Sequence, residues 1–353
     1  MTGFLFNRWQ SRLESVEVTR IGNLIARVGG RGPRLLVCAH ADEICLMVRG
    51  ITEDGFLLLS LWFRDALGHP PPWLYPIGHP ALVLGSGGTI EGIFATVTGH
   101  AAAQRGGRIA HDPSWDDLFV DIGASSAEEA RAWGVHPGCH VIWNTPIRRI
   151  SNLVTGKALD DRVGLAVMDD ILTDLDPTRI GWELHYAATV MEEIGLVGAA
   201  EVVDRVRPDL VVILEVGLAG DIPGADSGSI PVRLGNGPVI VFQDAGTHYS
   251  WDFSQRVIAL ANYAGIPIQE AVYQSYSSDG RECIRHGVPT VLLTFPCRYT
   301  HSPFETAHLA DVSALRDLLH ALLHVDHAET WVTAERSAGP TRNEGEDELE
   351  ARH

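Results

Sequence analysis

Leu35-Leu36-Val37-Cys38-Ala39-His40-Ala41-Asp42-Glu43 passes in one step from five apolar residues to a polar cluster. A strand that is apolar at every position has both faces covered, the condition of a parallel strand inside an α/β sheet. Polar side chains at the end of such a strand stand in the crevice beyond the carboxyl ends, where open sheets carry their chemistry. The second half of the chain repeats the theme. It predicts a helix over 163–175, a strand over 184–190, a helix over 197–206 and a strand over 210–214. Strands at 239–242, 268–273 and 290–295 and helices near 252–264 and 311–325 follow. This alternation implies right-handed crossovers and an α/β fold: a mixed, largely parallel sheet with helices on both faces.

Between Trp62 and Ile147 the texture changes to short alternating runs broken by Pro70-Pro71-Pro72 and Gly85-Ser86-Gly87-Gly88. That predicts a small β-rich unit over 64–147, inserted into a larger domain made of 1–63 and 148–335. The remainder, 336–353, is Glu-rich and almost without large apolar residues, so it is expected to be disordered. With 353 residues, 45% of them hydrophobic, the chain can bury a large core and is long enough for two domains.

Lys plus Arg number 27 against 45 Asp plus Glu, a formal charge of -18 with no basic cluster. Nucleic acid and anionic membrane are therefore poor partners. Met1 to Trp9 has neither the basic start nor the apolar run of a signal peptide, and no apolar stretch reaches membrane-spanning length. Cys38, Cys45, Cys139, Cys283 and Cys297 form an odd set without a C-x-x-C pair, against both a disulfide framework and a thiolate zinc site. The expected compartment is the reducing cytoplasm.

His40, Asp160, the pair Glu192-Glu193, Glu215 and His301 fall at strand ends or in the turns after them. Histidine and carboxylate without thiolate is the ligand set of a hydrolytic zinc, cobalt or manganese site, and one bridging carboxylate lets five ligands hold two ions. Such ions bring the pKa of a bound water from ~15.7 toward ~7, so a neighbouring carboxylate can take its proton. Glu192 fits that base. Asp42, two residues after His40 on an extended segment, can fix the imidazole's tautomer. Taken singly, each has a plainer reading. Asp160-Asp161 reads equally as a helix N-cap and Glu192-Glu193 as a solvated strand end; loop histidines such as His69, His79 and His136 read as structural. The weight lies in the ordered set. Gly85-Ser86-Gly87-Gly88 lacks the Lys-Ser/Thr and the helix of a phosphate loop, and no Gly-x-Ser-x-Gly elbow is present.

Together these segments resemble the M42 family of metallo-aminopeptidases, the glutamyl and tetrahedral (TET) aminopeptidase group. The matching stretches are Ala39 to Ile44, Asp117 to Ser126, Gly156 to Gly164, Thr189 to Gly195, Ala219 to Gly224 and Pro296 to Pro303, in family order. The resemblance implies a zinc-aminopeptidase-like fold and a two-metal exopeptidase that trims peptide N-termini, with zinc or cobalt expected and manganese an option. His40 and His301 then look like ligands of different metals, Asp160 like the bridge, Glu193 like a ligand on one metal, Glu192 like the general base and Asp42 like the support for His40. The insert resembles the family's β-barrel dimerisation domain, and family members commonly build dodecameric tetrahedral shells, so a homo-oligomer built on dimers is implied.

Two departures stand out. Glu215, in Leu214-Glu215-Val216-Gly217, stands where the family usually has an Asp ligand. Ser277-Ser278-Asp279-Gly280-Arg281 replaces a Thr-Asp-Ala-like run, and Arg281 with Arg298 could pair with a substrate carboxylate. Asp279 joins them as a candidate substrate-binding residue, while Arg281 reads as well as the solvent-facing start of a helix. Three rival functions follow: a two-metal hydrolase of N-acyl amino acids or modified dipeptides, a non-catalytic assembly protein, and a glycoside hydrolase. Adjacent carboxylates rarely flank a sugar, which ranks the last lowest.

Overall fold

The computed structural model describes residues 1–60, 77–97, 117–226 and 228–337. Helix α1 (Thr2–Trp9) buries Leu5 and Trp9 and leads into β1 (Ser15–Val18), β2 (Leu24–Gly29) and β3 (Arg34–His40). β3 alternates between two cores. Leu35, Val37 and Ala39 pack into one hydrophobic cluster while Leu36 and Cys38 pack into another, as the period of two dictates for a strand covered on both faces.

The chain then leaves the sheet. β4 (Leu46–Ile51), β5 (Leu57–Ser60), β6 (Pro80–Gly85), β7 (Gly88–Thr96), β8 (Leu118–Asp121) and β9 (His140–Trp143) close into a barrel in the order β4-β5-β8-β7-β6-β9. Helix α2 (Ala127–Ala132) is capped by Ser126, whose hydroxyl accepts the Glu129 N–H. Leu46, Val48, Leu57, Leu59, Val83, Phe94, Val120 and Val141 fill the barrel's own core.

This barrel begins earlier than the boundary at 64. Residues 46–60 alternate buried and exposed, a one-sided pattern that belongs with the barrel, but they carry none of the Gly and Pro punctuation that marks the rest of it. Sequence texture therefore assigned them to the larger unit. The Pro70–Pro72 run lies outside the described residues, as do residues 338–353 of the expected disordered tail.

Past the barrel come β10 (Arg148–Ile150), β11 (Leu153–Gly156), α3 (Leu159–Ile171), β12 (Glu183–Thr189), α4 (Val197–Val206) and β13 (Leu210–Leu218). They are followed by β14 (Val239–Gln243), α5 (Trp251–Ala264), β15 (Gln269–Val272), α6 (Gly280–Arg285), β16 (Thr290–Arg298), β17 (Glu305–His308), α7 (Leu309–Leu323) and α8 (Glu329–Ser337). The predicted elements recur within a few residues, with α8 taking in residues 336 and 337.

The result is a mixed sheet of 11 strands along β1-β2-β12-β3-β13-β16-β17-β11-β10, with β14 on β16 and β15 on β14. Helices cover both faces. Leu165, Met168, Phe253, Val257, Leu315, Leu318 and Leu322 pack on one side, and Val202, Val203, Val206 and Cys283 on the other. β12 and β13 flank β3 in parallel, with Thr189 opposite His40 and Ile213 opposite Cys38. Two residues further on, Glu215 reaches the level of His40 on the same face of the sheet. The register alone sets a histidine and a carboxylate side by side at the sheet's carboxyl edge.

Candidate metal centre

His40 closes β3 with its ring buried, 2% exposed. Its Nε2 lies 2.7 Å from Asp160 Oδ1 and 3.6 Å from Glu215 Oε2. Asp160 comes from the start of α3, where it and Asp161 depart from helical geometry (φ -74° and ψ 106° at Asp160), so the carboxylate is aimed off the helix axis. Its other oxygen, Oδ2, lies 3.4 Å from His301 Nε2, and that imidazole faces Glu193 Oε2 at 3.2 Å. One carboxylate thus serves two imidazoles, each with a further carboxylate beside it.

Glu192 and Glu193 follow β12 in a turn opened by Met191 at φ 58°. Donor atoms of His40, Asp160 and Glu193 lie within 4.8 Å of one another, as do those of His40, Glu192 and Glu215. His301 stands in the loop between β16 and β17 with φ 61°. Every residue of the ordered set predicted from sequence is brought into this cluster.

The electrostatics follow from crowding acids in a dry place. Burial, then Glu215, Glu193 and Asp279, push Glu192 well above the ordinary carboxylate range, against the pull of His40. Burial and Asp160 push Glu215 up to about 8. Asp160 goes the other way: burial opposes its ionisation, but His301 and His40 hold it far below the usual range. Burial also disfavours a charged His40, yet Glu215, Asp160 and Asp42 around it raise its pKa well above 6.5. The same balance, with Glu193 and Asp160 as partners, raises His301.

These groups suit divalent cations. A dication between imidazole nitrogens and carboxylate oxygens offsets the repulsion that now lifts Glu192 and Glu215. Neither candidate ligand group among the described residues contains a cysteine, and burial together with Glu43, Asp42 and Glu193 pushes the Cys45 thiol up to about 11. Asp161 Oδ2 and Asp279 Oδ1 are buried with no hydrogen-bond partner among the described residues, so acceptor capacity there exceeds what those residues satisfy.

The remaining residues fall into place unevenly. Asp42 Oδ1 is 3.6 Å from His40 Nδ1, too far for a hydrogen bond. Instead Asp42 accepts the N–H groups of Glu192 and Glu193 at 3.3 and 3.2 Å, gripping the turn that presents both. Asp279 is buried at the start of α6 and accepts the Thr189 hydroxyl at 2.5 Å, beside the residue level with His40. Arg281 does begin a helix, but it is half-buried rather than solvated and packs over Gly246, where an added Cβ would stand 2.7 Å from its Cδ.

Arg298 needs correcting as a substrate-binding candidate. Its guanidinium forks onto Asp221 with bonds of 2.8 and 2.6 Å, so its bidentate face is already taken by the protein's own carboxylate. The two residues lie 77 apart in sequence, which leaves no local signal for the pairing.

Sequence reasoning also passed over Glu305. Buried at the start of β17, it accepts the N–H of Asp160 at 3.1 Å and that of His301 at 2.9 Å. Only its position four residues after His301 could have drawn notice.

The M42 glutamyl aminopeptidase family matches the chain over residues 22–318. Lysyl aminopeptidase of Pyrococcus furiosus is 32% identical over 321 residues, covering 88% of this chain and 87% of the relative. Among solved structures, aminopeptidase APDkam598 from the archaeon Desulfurococcus kamchatkensis superposes with a TM-score of 0.86 at 26% identity, over 96% of this chain and 93% of that one. The TET1 peptidase of Pyrococcus horikoshii, which can assemble into a tetrahedron or a large octahedral shell, gives a TM-score of 0.80 at 29% identity, over 91% and 92%. The match to the family spans both the sheet and the barrel, and the chain accordingly belongs to the M42 glutamyl aminopeptidase family, as a hydrolase of the aminopeptidase class.

Proposed function

We propose that the chain removes N-terminal residues from peptides at a centre of two divalent cations held by His40, Asp160, Glu193, Glu215 and His301. The observation that carries this reading is Asp160, whose two oxygens face imidazoles delivered by different parts of the sheet. Such ions supply Lewis acidity, polarising the scissile carbonyl and acidifying a water. Zinc and cobalt suit the nitrogen and oxygen donors best, with manganese as a third option.

Glu192 is the general base in this reading. It takes the water's proton and returns it to the leaving amine, a role that suits a buried carboxylate standing beside the proposed ligands His40 and Glu215. Asp42 supports it through the main chain by holding the Glu192–Glu193 turn. Asp279 supplies a buried acceptor oxygen near Glu192 that can meet the free amine of a substrate, which would explain selectivity for N-termini. A homo-oligomer of dimers joined through the barrel, up to a dodecamer, belongs to the same reading, supported by the likeness to the assembling TET1 peptidase. The five cysteines are all free, in keeping with a reducing cytoplasm.

The test is a metal-reconstituted assay. Protein stripped with chelator is reloaded with zinc, cobalt or manganese and given aminoacyl-anilides beside N-acyl amino acids, with Glu192→Gln as control. Release from free-amine substrates, lost by at least about 100-fold in the variant, supports the aminopeptidase. Turnover confined to blocked substrates would replace it with the N-acyl amidohydrolase, and no metal-dependent turnover would leave a non-catalytic assembly protein.

A further inference from the structure

Two of the proposed ligands sit on backbone that regular structure does not hold. Asp160 lies in the non-helical opening of α3, two residues after Ala158 at φ 55°, and His301 lies in the loop before β17 at φ 61°. Among the described residues neither main-chain N–H is paired in a strand ladder. Both instead point at one side chain. Glu305, 3% exposed, accepts the Asp160 N–H through Oε2 and the His301 N–H through Oε1.

We propose that Glu305 is a positioning residue of the metal centre, its two carboxylate oxygens fixing the distance between the loop that presents Asp160 and the loop that presents His301. The oxygens of a carboxylate are held rigidly about 2.2 Å apart by covalent geometry, so two N–H groups bound to them are held in register as well. Glu305 is itself fixed by β17, where it stands opposite Gly156 of β11. That strand runs into the Asp160 loop, while β17 follows directly from the His301 loop, so Glu305 joins the two at their roots. It contacts the main chain behind the ligands, not their side chains, and acts through them as outer partners do in metal sites. The inference rests on Asp160 and His301 being ligands.

The experiment is a cobalt titration of the metal-stripped protein, read by visible absorbance, with kcat and KM of the reloaded enzyme and thermal unfolding alongside. Glu305→Gln keeps the shape but sets an amide –NH2 against one of the two N–H groups. Glu305→Asp keeps the charge but is one methylene short of reaching both. Asp160→Asn serves as the reference for losing a ligand. We expect each Glu305 variant to weaken at least one cobalt site by roughly 10- to 100-fold and to lower kcat in step, with KM nearly unchanged. Wild-type cobalt affinity in the folded fraction of either variant, with only a lowered melting temperature, would reduce Glu305 to a structural residue and overturn the proposal. If Asp160→Asn leaves cobalt binding intact, the ligand reading falls and the proposal with it; if Asp160→Asn abolishes a site while both Glu305 variants spare it, positioning alone fails.

Discussion

Replacing Asp279 with Asn removes a buried charge that the fold holds at a cost. Burial raises its pKa from 3.8 to about 6, even though the Thr189 hydroxyl and His40 favour the charged form. A rise of about two pH units corresponds to about 3 kcal/mol between the two protonation states. The folded chain therefore keeps this proton to higher pH than the unfolded chain does. Between 3.8 and about 6 the native state binds more protons, so its stability falls as pH rises. Above that window the whole penalty is present, and below it none remains. Asn has the same shape, carries no charge and can still meet the Thr189 hydroxyl. In urea unfolding of the metal-stripped protein, Asp279→Asn should gain up to about 3 kcal/mol at pH 7.5 and almost nothing at pH 4. The same variant should raise KM for free-amine substrates, the usual exchange of stability for function at a strained site. A gain of equal size at both pH values, or a loss at pH 7.5, would show that Asp279 is not held as a costly buried charge.

Two further perturbations probe different parts of the molecule. Gly30→Ala should destabilise by on the order of 3 kcal/mol in thermal or urea unfolding, since Gly30 has φ 81° and its Cβ would stand 2.1 Å from the Trp182 carbonyl oxygen; a variant as stable as the parent would mean that this turn yields freely. Asp42→Asn offers one carbonyl oxygen to the two N–H groups of Glu192 and Glu193, and should lower kcat by roughly 10- to 100-fold in the metal-loaded enzyme with little change in melting temperature. Unchanged kcat would detach Asp42 from the chemistry.

What could be read from sequence divides along physical lines. β3 and β13 were legible because both their faces are buried, which leaves near-continuous apolar runs that end at His40 and Glu215. His40, Asp160, Glu192, Glu193, Glu215 and His301 were legible as an ordered set of side chains, since it is their side chains that meet. The start of the barrel was not, because residues 46–60 show the one-sided alternation of a barrel strand without the Gly and Pro breaks that mark its later turns. Arg298 was misjudged because its partner Asp221 is joined to it only by the fold. Glu305 left no signal because it works on main-chain N–H groups, which every residue carries. Asp42 was expected to hold the His40 imidazole, but it stands 3.6 Å from Nδ1 and its hydrogen bonds run to the main chain of the next turn, for the same reason.

The decisive quantity is the number of cations each chain holds. Elemental analysis of the stripped, zinc-reloaded and desalted protein should give two per chain, and no more than one in Asp160→Asn, because that carboxylate is the group shared between His40 and His301. One ion per chain in both proteins, or full turnover with none, would contradict a dinuclear centre bridged by Asp160.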